Sequence, residues 1–244
     1  MRYFITLSYL GTHYKGWQRQ PNANSVQQTL EEAMAILCRT PVELLGCGRT
    51  DSGVHAKHYV AHWDWDGELP VNFLFRLNGI LPYDIALQNI VPVADDAHAR
   101  FDATSRSYEY YLSGLKNPFE RDTCTFYPYF NKINWSQVAE AATLLLEYEE
   151  FAPFCKTNHD AFTMRCQLTR SEWMVDTAHK TAIYHISANR FLRGMVRLIV
   201  GASLNVGLGK LSIEDFRTAL EQQSPLPFPQ SIDPQGLFLT GIKY

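Results

Sequence analysis

The chain has 244 residues, 46% of them hydrophobic and 19% charged, and division by roughly 150 residues per domain gives one large domain or two small ones. That balance, with 14 Gly and 12 Pro, excludes disordered, collagen-like and low-complexity chains. A net charge of −3 does not by itself advertise a polyanionic partner. The apolar runs are short and interrupted, and residues 1–10 enter directly on an alternating pattern, so neither a membrane span nor a secretory leader is expected. Five cysteines, Cys38, Cys47, Cys124, Cys155 and Cys166, form an odd set without a C-x-x-C pair. They argue against a disulfide framework or a cysteine zinc site, and a reducing cytoplasm fits best.

In chain order, Tyr3, Ile5, Leu7 and Tyr9 alternate with Phe4, Thr6 and Ser8, the period of a strand. From Ser25 the spacing becomes helical through Val26, Leu30, Ala33, Met34 and Leu37, with Ser25 and Gln28 placed as a capping box. Extended segments are expected at 42–45 and, with Tyr59, Ala61, Trp63 and Trp65 on one side, at 57–65. A second helix is expected from Pro70 to near Gly79, then a strand over 85–93. The second half repeats the mixture: strands at 107–112 and 124–129, a helix from Asn134, strands at 165–175 and 181–188, the longest helix over 191–205, a shorter one from Ser212, and a closing strand at 237–242. Helices do not alternate one to one with strands, which predicts an α+β chain with mostly antiparallel pairing and two halves meeting near Thr104.

Charge is unevenly spread. No acid falls between Asp176 and Glu214, where Lys180, Arg190, Arg193, Arg197 and Lys210 lie, and residues 1–30 carry Arg2, Lys15 and Arg19 without an acid. A locally positive face on an acidic protein is one reading, scattered solvated charge the other. Arg190, Arg193 and Arg197 recur at helical spacing, a basic stripe on the expected long helix. Arg197 sits between Val196 and Leu198, where a buried cation needs an anion, and Asp51 is the candidate.

Gly46-Cys47-Gly48-Arg49-Thr50-Asp51-Ser52-Gly53-Val54-His55-Ala56 places two small hinges, a cation, an anion and a histidine between two strands. Gly48 and Gly53 allow a positive φ or a close backbone approach, and Arg49 and Asp51, two apart, present charge to one crevice. An ordinary turn in which Asp51 accepts its own backbone N–H groups is the alternative. His58 and His62 share a strand face about 13 Å apart at roughly 3.3 Å per residue, too far for one metal ion. Phosphate-loop, dinucleotide and nucleophile-elbow motifs are missing, which favours cofactor-free chemistry. Residues 14–20 and 106–111 interleave aromatic and basic side chains as RNA-binding surfaces do, although Tyr108 and Tyr110, on one strand face, also fit a core.

The run Gly48 to Ala56 resembles the signature loop of the tRNA pseudouridine synthase A family. Further blocks agree in order: Tyr14-Lys15-Gly16-Trp17-Gln18-Arg19-Gln20, His98-Ala99-Arg100-Phe101, Arg106-Ser107-Tyr108-Glu109-Tyr110, Phe191-Leu192-Arg193-Gly194-Met195-Val196-Arg197 and Gly236-Leu237. The resemblance implies the pseudouridine synthase fold, two α/β halves (1–104 and 105–244) sharing a mostly antiparallel central sheet with flanking helices. It implies isomerisation of uridine to pseudouridine in the tRNA anticodon stem-loop, at the sites conventionally numbered 38, 39 and 40, by a cytoplasmic homodimer without metal or organic cofactor. Asp51 matches the nucleophile, Tyr108 the active-site tyrosine, Arg197 the arginine paired with the nucleophile and Arg49 the arginine that grips the RNA; Lys15, Arg19 and Arg193 are expected at phosphates. Departures are local, such as Cys47 and Ser52 where alanine is common, and bear on substrate contacts. A silent RNA-binding module and a synthase acting on another RNA are the competing readings.

Overall fold

The computed structural model describes residues 1–156 and 162–244. Among them the order is β1 (Arg2–Tyr9), α1 (Val26–Cys38), β2 (Leu45–Gly46), β3 (His55–Asp64), α2 (Phe73–Ile80), β4 (Ile85–Val93), β5 (Ser105–Ser113), β6 (Thr125–Phe126), α3 (Trp135–Leu144), β7 (Leu168–Asp176), β8 (Thr181–Ala188), α4 (Met195–Gly207), α5 (Ile213–Gln222) and β9 (Leu237–Lys243), with short 3-10 turns between them. The chain divides into two compact units, Met1–Thr104 with Phe238–Tyr244, and Ser105–Leu237. The expected second half at 105–244 therefore ends, as a compact unit, at Leu237, because the last strand packs within the first.

In the first unit β1 lies between β3 and β4, antiparallel to both. β2 extends β3 on Leu45 and Gly46, and β9 runs parallel to β3 at His55↔Phe238 and Ala56↔Leu239. Tyr3, Ile5, Leu7 and Tyr9 are buried while Phe4, Thr6 and Ser8 are half-buried, so the alternation in the sequence is the alternation of burial. α1 starts where Ser25 Oγ accepts the Gln28 N–H at 3.2 Å, a cap that contributes about 1 kcal/mol. Gln28 turns its amide to Glu32 instead of back to the cap. α2 begins at Phe73, three residues after the expected Pro70, because Asn72 adopts a left-handed conformation (φ 55°) that no helix interior accommodates.

In the second unit β8 lies between β5 and β7, antiparallel to both, and β6 pairs parallel with the end of β5. The α+β class and mostly antiparallel pairing are as expected. β6 holds only two residues of the expected 124–129, since the Tyr127 carbonyl accepts the Phe130 N–H at 3.1 Å in a turn that ends the strand. α4 differs most from expectation. It starts at Met195, four residues after Phe191, because Gly194 caps it in a left-handed conformation (φ 70°), and at 13 residues it equals α1 rather than exceeding it. Every residue from Met195 to Gly207 is buried except half-buried Arg197, so α4 is a core helix rather than one with a single apolar face. Arg190 and Arg193 lie in the preceding loop, and the expected basic stripe keeps Arg197 alone.

Candidate active site

The signature loop joins β2 to β3 and is held along its length by residues 9–17 of its own unit. Thr50 is buried, with Oγ1 2.8 Å from Tyr9 Oη, and its carbonyl accepts the Trp17 N–H at 3.4 Å. Gly53 donates its N–H to the Tyr14 carbonyl at 3.2 Å, and Ser52 Oγ bonds the same oxygen at 3.3 Å. Tyr59 donates its hydroxyl to the Gly48 carbonyl while its ring stacks on Trp17, centroids 4.0 Å apart. Glycine is required at position 16, where φ is +91° and a Cβ would lie 2.2 Å from the Thr50 carbonyl oxygen. Residues 14–17 are tied in turn to the start of α1 through Lys15 N–H to Asn24 O, Val26 N–H to Gly16 O and Gln27 N–H to Trp17 O.

Asp51 therefore stands half-buried on a braced turn, its carbonyl accepting the Val54 N–H at 3.1 Å and Gly53 supplying the positive φ of 78°. Gly48 does neither of the things its residue type allows: its φ is not positive and a Cβ there would meet nothing. Arg49 is exposed beside Asp51, as is Lys15 on the supporting segment. Arg19 is exposed but ion-paired through Nη1 with Glu31 at 3.1 Å. Glu31 is buried and also accepts from Gln27 Nε2 at 2.9 Å and from the Leu44 N–H at 3.1 Å. Arg19 thus closes a polar network around the loop support.

The histidines serve the backbone. His55 Nδ1 accepts the Gly11 N–H at 2.9 Å, and His62 Nδ1 accepts the Ala99 N–H at 3.1 Å, both rings being buried. Among the described residues no three His, Cys, Asp or Glu side chains are grouped to hold a metal ion. Tyr14 donates to Asp84 at 2.7 Å; burial, then that bond, raise its ionisation well above the usual tyrosine range, so it acts as a neutral structural donor.

The second unit carries Tyr108, Arg193 and Arg197. Tyr108 and Tyr110 share a face of β5 but divide the two readings between them. Tyr110 is core, its hydroxyl 2.7 Å from Thr125 Oγ1 and 2.9 Å from the Asp233 carbonyl, whereas Tyr108 is half-buried and meets Phe191 edge to face at 5.1 Å. Phe191 belongs to the loop ahead of α4 that also exposes Arg193. Arg197 Nε donates to the Ile232 carbonyl at 2.6 Å, which fixes the guanidinium plane, and the Ile232 N–H returns to the Arg197 carbonyl at 3.3 Å. Two turns further on, Asn205 Nδ2 bonds the Phe228 carbonyl, and Gly201 between them passes the Gln230 carbonyl so closely that a Cβ would sit 1.9 Å from it. Residues 228, 230 and 232 thus run along the 197/201/205 stripe of α4.

Sequence reading misses Tyr9, Tyr59 and Glu31. The two tyrosines carry only the alternation of a core strand, and Glu31 looks like a solvated helix position; Thr50, Gly48 and Arg19, the partners that reveal them, are 41, 11 and 12 residues away in sequence, where no local pattern reaches.

A family model described as tRNA pseudouridine synthase matches residues 141–244. Over its whole length the chain is 44% identical to the tRNA pseudouridine synthase A of Azobacteroides pseudotrichonymphae, covering 96% of that protein. It is 45% identical to the tRNA pseudouridine synthase A of Bacteroides fragilis, again over all of this chain and 96% of the relative. The Porphyromonas gingivalis protein of that name is likewise 45% identical, with all of this chain and 97% of the relative covered. These matches span the whole chain and so both of its units, and the chain belongs to the tRNA pseudouridine synthase A family.

Proposed function

We propose that the protein isomerises uridine to pseudouridine in tRNA, acting on positions 38, 39 and 40 of the anticodon stem-loop, with Asp51 as the nucleophile. The observation that carries this reading is the bracing of the signature loop: bonds to Tyr14, Trp17, Tyr9 and Tyr59 hold the backbone on both sides of a carboxylate left half-buried at its turn. Preorganised nucleophiles are built in this way, since geometry fixed in advance removes entropy from the barrier.

The reaction breaks the N1–C1′ bond, turns the uracil, joins C5 to C1′, releases the C5 proton and returns a proton to N1. Asp51 attacks either C1′, displacing the uracil much as a glycosidase carboxylate displaces its leaving group, or C6 of the ring. Arg197 is, in this reading, the arginine that partners the nucleophile. Tyr108 stacks on the extruded base and takes part in removing the C5 proton. Arg49 grips the RNA, and Lys15 and Arg193 meet phosphates. Arg19, sharing its charge with Glu31, contributes least to phosphate binding. The enzyme works as a cytoplasmic homodimer. Among the described residues no helix is long and apolar enough to cross a membrane, and no disulfide joins the cysteines.

The assay is release of tritium from tRNA labelled at uridine C5. Wild type releases it, whereas Asp51→Ala folds, binds tRNA and releases none. Release by that variant at the wild-type rate removes the nucleophile assignment, and a wild type that binds tRNA without release leaves the silent binding module.

A further inference from the structure

Two of the bonds that brace the loop come from hydroxyl groups outside the signature stretch. Tyr9 Oη meets Thr50 Oγ1 at 2.8 Å in a buried pair, and Tyr59, fully buried, donates to the Gly48 carbonyl. The two rings lie 5.6 Å apart and Trp17 stacks on the second of them. Gly48 and Thr50 are thus tied inward to tyrosines, while Arg49 is exposed and Asp51 half-buried. Tying Thr50 inward at a buried position leaves its two neighbours, Arg49 and Asp51, more exposed than it is. We propose that Tyr9 and Tyr59 are positioning residues of the isomerisation: their hydroxyls fix the backbone from Gly48 to Thr50 and so aim the Asp51 carboxylate. This inference rests on Asp51 being the nucleophile. The two tyrosines act through the loop.

The test is a double-mutant cycle on the full-length protein. Tyr9→Phe, Thr50→Val and their combination are compared with wild type, alongside Thr50→Ser, Tyr59→Phe and Asp51→Ala. For each, the single-turnover rate of tritium release, the tRNA Kd by filter binding and the urea midpoint are measured. Because small misplacements of reacting groups cost up to about a hundredfold, loss of one brace is expected to slow the single-turnover step about tenfold while the tRNA Kd stays within about twofold. The combined variant is no slower than the worse single one, since both substitutions remove the same bond. Thr50→Ser, which keeps the hydroxyl, recovers most of the loss, and Tyr59→Phe slows the step in the same manner.

A purely structural role gives the opposite pattern: urea midpoints fall while rates hold, or rate and tRNA affinity fall together. Either pattern, or strict additivity in the cycle, overturns the inference. Should Thr50→Val fail to fold, Tyr9→Phe and Thr50→Ser decide it by the same readouts. Full activity in Asp51→Ala sinks the nucleophile reading itself. An inert Asp51→Ala with unslowed tyrosine and threonine variants sinks only the positioning role.

Discussion

His62 is buried on β3 with its Nδ1 occupied by the Ala99 N–H, a bond that requires that nitrogen to be unprotonated. Burial first, then the neighbouring His98 and Arg2, push its pKa down to about 4, against weaker opposing pulls from Asp64 and Asp102. The unfolded chain binds a proton near the ordinary histidine pKa of about 6.5 while the native chain refuses it until about 4. The stability that depends on neutral His62 is thus complete above the upper value and is lost as pH falls through the window. Urea midpoints of wild type are expected to decline over that window more steeply than those of His62→Gln, and parallel declines would remove His62 from the acid response. At this scale a sequence shows which side chains are capable of chemistry but not what they touch: Asp51 stands out between glycines, whereas the role of His62 is set by a backbone amide 37 residues away.

Elements were legible where caps and periodicity agreed. Ser25, Asn134 and Ser212 each accept the N–H three residues on, as their positions predict, because those bonds are local. The start of α4 was not, since Phe191 and Leu192 continue an apolar spacing that the left-handed Gly194 interrupts. The same helix gives a prediction in which two effects compete. Alanine stabilises a helix interior by about 1 kcal/mol relative to glycine, but at position 201 its Cβ would lie 1.9 Å from the backbone oxygen of Gln230. Overpacking wins: Gly201→Ala is expected to lower unfolding stability by about 1–3 kcal/mol in urea titration. A gain would mean that residues 228–232 are not seated on α4.

For the molecule as a whole, the net charge of −3 conceals an uneven distribution. The region around Arg190, Arg193 and Arg197 and the one around Lys15 and Arg49 carry the cations assigned to RNA. Binding through phosphates releases counterions, so tRNA affinity is expected to fall steeply as salt is raised despite the acidic total. Light scattering in the same buffers should give twice the mass of one chain. A flat salt profile argues against phosphate-dominated binding, and a single-chain mass against the homodimer.

The sequence by itself determined the element types, the α+β class and the chemically capable residues, because alternation, helical spacing, caps and glycine-bounded turns act over a few neighbouring positions. Tertiary structure alone decided the rest. It turned Arg19 from a free cation into a partner of buried Glu31, split Tyr108 from Tyr110, placed the last strand with the first unit, and hung the aspartate loop on Tyr9, Trp17 and Tyr59. Each of those outcomes is a bond or contact between residues far apart in the chain, whose partners are chosen by packing and by the need to satisfy buried polar groups, and that choice exists only once the chain is folded.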